Sequence, residues 1–146
     1  MTSPHDQVGA IQDRSIFLLN LLGDFKPESQ PLSRLDHSLQ MASRARVDGH
    51  CSEIIVACLF HDVGHIIPGC NHAQVAADFL KPFVSTEIVT VLRFHTLLGQ
   101  GSIIPNALEN CEWCPAFIEL DAISWDPNYP SLEISDFFQY INSVIC

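Results

Sequence analysis

Residues 59–72, LFHDVGHIIPGCNH, hold three histidines and an aspartate. The adjacent pair His61-Asp62 closes an apolar run, and a buried polar side chain without a partner costs about 1–3 kcal/mol. Other polar side chains sit among apolar neighbours elsewhere: His37 before LQMA, His95 in VLRFHTLL and Asp121 in FIELDAIS, while His72 leads HAQVAADFL. One histidine of this kind is ordinarily a hydrogen-bonded core residue. Four of them with two aspartates, in the order His…His-Asp…His…His…Asp, point instead to metal ions that satisfy the whole set at once.

Rigid elements must carry such donors, and the chain reads as helical throughout. Val8, Ile11, Ile16, Leu19 and Leu22 have helical spacing over residues 8–22, and Gly23 ends that segment. Residues 24–33, with two prolines, are a loop. Ser33 caps a second helix, which carries His37 and stops at Gly49. Ser52 caps a third, EIIVACLFHDVG, whose unbroken apolar character makes it central and buried, with His61 and Asp62 at its end. After a turn over residues 64–69, Asn71 caps HAQVAADFLKPF and Ser85 caps TEIVTVLRFHTLL. Residues 99–113 read as a loop, CPAFIELDAISW as a helix holding Asp121, DPNYPS as a turn and LEISDFFQYINSVI as a terminal amphipathic helix. The expectation is one all-α domain over residues 1–146, built from six or seven short helices.

Composition narrows the function. A hydrophobic share of 47% is enough for a sizeable core. The apolar runs fall far short of the ~20 residues a membrane span needs, and the first ten residues lack the pattern of a signal peptide. With a net charge of −10 and seven Lys and Arg, the chain is a poor partner for nucleic acid or an anionic membrane. The expectation is a cytoplasmic protein acting on a small molecule. Its six cysteines then read as reduced, buried, apolar thiols, and Cys111 and Cys114 form half a zinc site with no second half.

The stretches DHSLQMA, LFHDVGH, NHAQVAADFL, RFHT and ELDAISWDPNYPSL, within residues 30–140, resemble the HD-domain superfamily. HDVGH followed by the His-led helix and the WDPNYPSL tail is most similar to its mixed-valence diiron oxygenases, a branch that includes phosphonate-cleaving oxygenases and myo-inositol oxygenase. The resemblance implies an HD-domain helical bundle around two iron ions as an Fe(II)/Fe(III) pair, with O2 as co-substrate. Carried over by position, it makes His37, His61, Asp62 and Asp121 ligands of one metal. Asp62, His72 and His95 match the ligands of the other, with Asp62 as a catalytic bridge. His65, four residues after His61, matches a histidine that helps hold substrate in phosphonate-cleaving relatives. Those relatives also carry a lysine where this chain has Gly99, and a Tyr and Glu where it has KPESQP, so the resemblance leaves the substrate open.

A metal-dependent phosphohydrolase is the alternative, using comparable ligands to activate water. It needs cationic clamps for a phosphate ester, and Lys and Arg are scarce around the motif. A catalytically silent regulatory module is a third reading, which leaves six costly polar groups unexplained.

Overall fold

The helices that carry the histidines begin where the sequence offers a side-chain acceptor. A computed structural model describes residues 4–69, 71–101 and 106–146. The described chain is all-α, with no strand among the described residues: α1 (Pro4–Leu21), α2 (Arg34–Val47), α3 (Ser52–Phe60), α4 (His72–Leu80), α5 (Thr86–Gly99), α6 (Cys114–Ile123) and α7 (Phe138–Val144). Ser33 Oγ accepts the Asp36 N–H at the start of α2, Asn71 Oδ1 the Gln74 N–H at α4, and Ser85 Oγ the Ile88 N–H at α5. Each such cap contributes about 1 kcal/mol to its helix.

Several expected boundaries shift. α1 begins at Pro4, ahead of residue 8. The N-cap of α3 is Cys51, without a side-chain bond, so Ser52 falls inside the helix. α3 stops at Phe60, and the chain tightens into a 3-10 turn over Val63–Ile66. Gly64 lets the start of α4 lie against that turn: a Cβ there would lie 2.5 Å from both Cα and the carbonyl oxygen of His72. The expected terminal helix divides into a 3-10 turn, Ile134–Phe137, and α7, because Glu133 and Asp136 form a capping box at the turn's start. The 99–113 loop contains a short 3-10 turn, Asn106–Leu108, and its residues 102–105 lie outside the described ones.

α2 packs on α3 and α4 on α5, α3 also touches α5 and α7, and α6 lies against α2 and α5. Central α3 has Ile54 through Phe60 buried, so no polar face interrupts it. Ile55, Leu59 and Phe60 share one core with Leu19, Met41, Leu80, Leu92, Phe117 and Ile141. Burying one large apolar side chain contributes about 1.5–3 kcal/mol, which is what fixes the ends of α2, α3 and α5 relative to one another. Buried free thiols are found at Cys58, Cys111 and Cys114, but Cys51 and Cys146 are exposed, correcting the expectation for them. Both sit at chain positions, a helix start and the end of α7's tail, that the core does not cover. Cys70 lies outside the described residues. No described helix is long and apolar enough to cross a membrane.

Candidate metal centre

The fold brings the six candidate donors together from five helices. His37 lies in the first turn of α2, His61 is the C-cap of α3 with Asp62 next, His72 opens α4, His95 lies late in α5 and Asp121 within α6. They form two groups, His37–His61–Asp121 and Asp62–His72–His95, each with ligand atoms within 4.8 Å of one another.

The first group is held by the backbone. His37 Nδ1 lies 2.9 Å from the Ser124 carbonyl and His61 Nδ1 lies 2.7 Å from the Cys58 carbonyl. A carbonyl only accepts, so both Nδ1 atoms carry a proton, and in the neutral rings both Nε2 atoms are acceptors. Those two Nε2 atoms face each other at 3.1 Å, and Asp121 Oδ1 lies 2.9 Å from one and 3.2 Å from the other. Three lone-pair donors converging in this way repel unless a cation, either a proton or a metal ion, lies among them. The Trp125 ring stacks on His37 at 3.8 Å between centroids, and the bond from Gln40 Nε2 to the Asp126 carbonyl anchors that segment to α2.

The second group is more open. His95 is buried, its Nδ1 2.6 Å from the Leu92 carbonyl, so it too presents Nε2. His72 is half-buried, and its Nε2 lies 2.9 Å from Thr96 Oγ1. Asp62 stands between the groups. Its Oδ2 is 3.4 Å from His61 Nε2 and 3.7 Å from His37 Nε2, while its Oδ1 is 3.9 Å from Nε2 of both His72 and His95.

The protein without a metal answers this crowding with protons. Burial works against an imidazolium at His61, but Asp62 and Asp121 outweigh it and push His61 up to about 9. Burial would raise both carboxyls, yet the surrounding imidazoles, His61 foremost, hold Asp62 and Asp121 well below the usual carboxylate range. Both carboxylates are therefore ionised, and three imidazoles present Nε2 with Nδ1 occupied. That donor set fits divalent or trivalent first-row metals, and it contains no thiolate.

His65 reaches the site by a route other than the expected one. It belongs to the 3-10 turn, not to a continuation of α3, so it does not stand one α-helical turn from His61. Its Nε2 lies 3.7 Å from Asp62 Oδ1, too far for a hydrogen bond, and its ring stacks on His72 at 3.9 Å. Burial, opposed by Asp62 and reinforced by His72 and Arg34, lowers His65 to about 4, so it is neutral near pH 7.

Three further side chains escaped the sequence reading. Arg34 Nη1 bonds Asp62 Oδ2 at 3.2 Å, so one of the chain's few cations stands at the motif. Arg34 precedes His37 by three residues and so shares its helix face, a signal that was present in the sequence. Thr96 and Trp125 lie within the stretches RFHT and WDPNYPSL, but their partners His72 and His37 are remote in the chain. All three line a cavity of about 280 Å³ with His65, Gly99 and Gln100, and every candidate donor but His61 borders it. A larger, almost wholly apolar cavity of about 430 Å³ along Leu98, Cys114 and Ile118 has no imidazole in its walls.

No protein-family model matches the chain. It is similar to a curated enzyme of Leisingera caerulea, (1-hydroxy-2-(trimethylamino)ethyl)phosphonate dioxygenase (glycine-betaine-forming), with 29% identity over 99 residues. The match takes in 60% of this chain and 47% of that relative, so it spans less than half of the relative's length.

Proposed function

We propose that the chain is a non-haem diiron oxygenase of the HD-domain type, forming one domain over residues 1–146 and oxidising a small polar substrate. The observation that carries the reading is the divided carboxylate of Asp62, with Oδ2 toward His37 and His61 and Oδ1 toward His72 and His95. On this reading His37, His61, Asp62 and Asp121 hold one iron, and Asp62, His72 and His95 hold the other. An iron pair bound there would supply the Fe(II)/Fe(III) redox chemistry through which O2 oxidises a C–H bond. Likeness to a dioxygenase supports the oxygenase class. The imidazole-rich, thiolate-free donor set supports a metal with positions left for further ligands.

The remaining work falls to the chain's own residues. The backbone carbonyls of Cys58, Leu92 and Ser124 fix three imidazoles before any ligand arrives. Trp125 covers the outer face of His37 and keeps water off it. Neutral His65, on the cavity wall, hydrogen-bonds a polar group of the substrate. His65→Ala should then retain its full metal complement and lower kcat/KM by about tenfold to a hundredfold. Loss of metal in that variant would make His65 a ligand or a prop instead.

The deciding experiment is metal analysis of protein purified without oxygen, followed by oxygen-uptake measurements. About two irons per chain and a coupled Fe(II)/Fe(III) paramagnetic signal on half-reduction are expected. Arg34 beside Asp62 favours one second reading, a metal-dependent phosphohydrolase, because a guanidinium is the clamp a phosphate ester needs. Phosphate release that needs no oxygen, from protein holding zinc or manganese, would establish that reading over the first.

A further inference from the structure

We infer that Arg34 is the residue that selects an anionic substrate, receiving its oxyanion at the mouth of the metal centre. The inference rests on the cavity being the substrate site of the proposed metal enzyme. Seven Lys and Arg serve the whole chain against seventeen acidic residues, and Arg34 is the one lining this cavity. Arg93 pairs with Asp78, Arg44 lies over Tyr129 and Arg46 bonds Tyr140. Spending a scarce cation at a half-buried position calls for a partner that stays there.

Asp62 alone is a poor candidate for that lasting partner. A guanidinium has five N–H donors in a planar fork, and among the described residues only Nη1 of Arg34 has a side-chain acceptor. Asp62 is also the carboxylate that stands between the two donor groups, so a metal ion held there would compete with Arg34 for it. Once metal cations neutralise Asp62, Arg34 faces a positive centre across a cavity of about 280 Å³ and needs another anion. Gln100, Thr96 and His65, which line the same cavity, complete a wall with hydrogen-bonding groups and no carboxylate other than Asp62 and Asp121. A compact oxyanion, tetrahedral or planar, meets both the fork and the centre. Phosphonates and carboxylates share that chemistry.

Calorimetric titration of the metal-loaded protein, kept free of oxygen, with methylphosphonate and with acetate tests this. Wild type should bind at least one of them, the tighter naming the head group. Arg34→Gln should weaken that binding about tenfold to a hundredfold, and Arg34→Lys should recover part of it, with metal content unchanged in both. Equal affinity in Arg34→Gln and wild type, or no binding of either anion to wild type, would overturn the proposal. Loss of metal from Arg34→Gln would overturn it too, making Arg34 a prop for Asp62. If wild type loads zinc or manganese and no iron, the oxygenase reading falls, while the same comparison on the loaded metal still decides the role of Arg34.

Discussion

His37 and His61 are enclosed, and the nitrogen each turns away from the site is tied to a backbone carbonyl. His72 is half-buried, and the nitrogen nearest Asp62 is bonded to a threonine hydroxyl. A carbonyl on a helix end moves only if the helix moves, whereas a hydroxyl rotates. The His37–His61–Asp121 group is thus fixed by the backbone, while the Asp62–His72–His95 group holds one ring on a movable partner. Such a division suits a centre whose closed half holds its ion and whose open half meets the substrate.

Asp62 tests the comparison most severely, since it alone serves both groups. Asp62→Ala should lose both metals, and His72→Ala only the one in the open group. Metal-dependent stabilisation would vanish in the first variant, a loss of about 4 kcal/mol or more where free metal stands a thousandfold above its Kd. Wild-type metal content in Asp62→Ala would break the bridging assignment.

The closed group demands a positive charge, which sets a pH dependence for the metal-free protein. His61 is raised to about 9 from an ordinary value of 6.5, so the folded state holds a proton that the unfolded chain releases. Its stabilisation is complete below pH 6.5 and fades as pH rises to 9, by roughly 3 kcal/mol over the window. His65, lowered to about 4, acts in the opposite sense and costs stability as pH falls from 6.5. Chemical denaturation of metal-free protein across pH 5–10 should therefore peak near neutrality or just below, and metal loading should flatten the alkaline slope. An alkaline slope that persists with metal bound would mean that the ion does not take the proton's place.

Gly64 lets the start of α4, with His72, lie against the turn that follows Asp62. Gly64→Ala would drive a methyl group into the backbone of His72, where the neighbouring atoms cannot rotate away. The expected cost is about 1–3 kcal/mol in denaturant unfolding, with metal lost from the open group before the closed one. Unchanged stability would show the turn and the start of α4 to be less firmly joined.

Whatever depends on near neighbours in the chain was readable from the sequence. Ser33, Asn71 and Ser85 bond amides three residues ahead, and such caps need no tertiary knowledge. The buried character of α3 follows from its unbroken apolar run, and the six candidate donors stand out as polar residues among apolar neighbours, whereas their division into two groups rested on the family resemblance alone. Contacts between distant segments were not readable. Arg34 finds Asp62 twenty-eight positions away, and Thr96 finds His72 at a separation of twenty-four. Gly64 announced a turn, but its closeness to His72 arises from how α4 docks. α3 ends at Phe60, and His65 lies on a 3-10 turn, tighter than a continued helix.

Thr96 yields the smallest and most discriminating effect. Its hydroxyl sits 2.9 Å from His72 Nε2, and that nitrogen is also the one 3.9 Å from Asp62 Oδ1. If His72 binds metal through Nε2, the threonine bond must break first, and its loss is a tax on metal affinity of about 1 kcal/mol. Thr96→Val keeps the branched shape and removes the hydroxyl. The metal of the open group should then bind about fivefold more tightly, and the closed group should not change. If His72 instead binds through Nδ1, the hydroxyl orients the ring from behind, and the same substitution should weaken the metal. Competitive chelator titrations of wild type and Thr96→Val separate these outcomes by sign, so even a modest change assigns the ligating nitrogen.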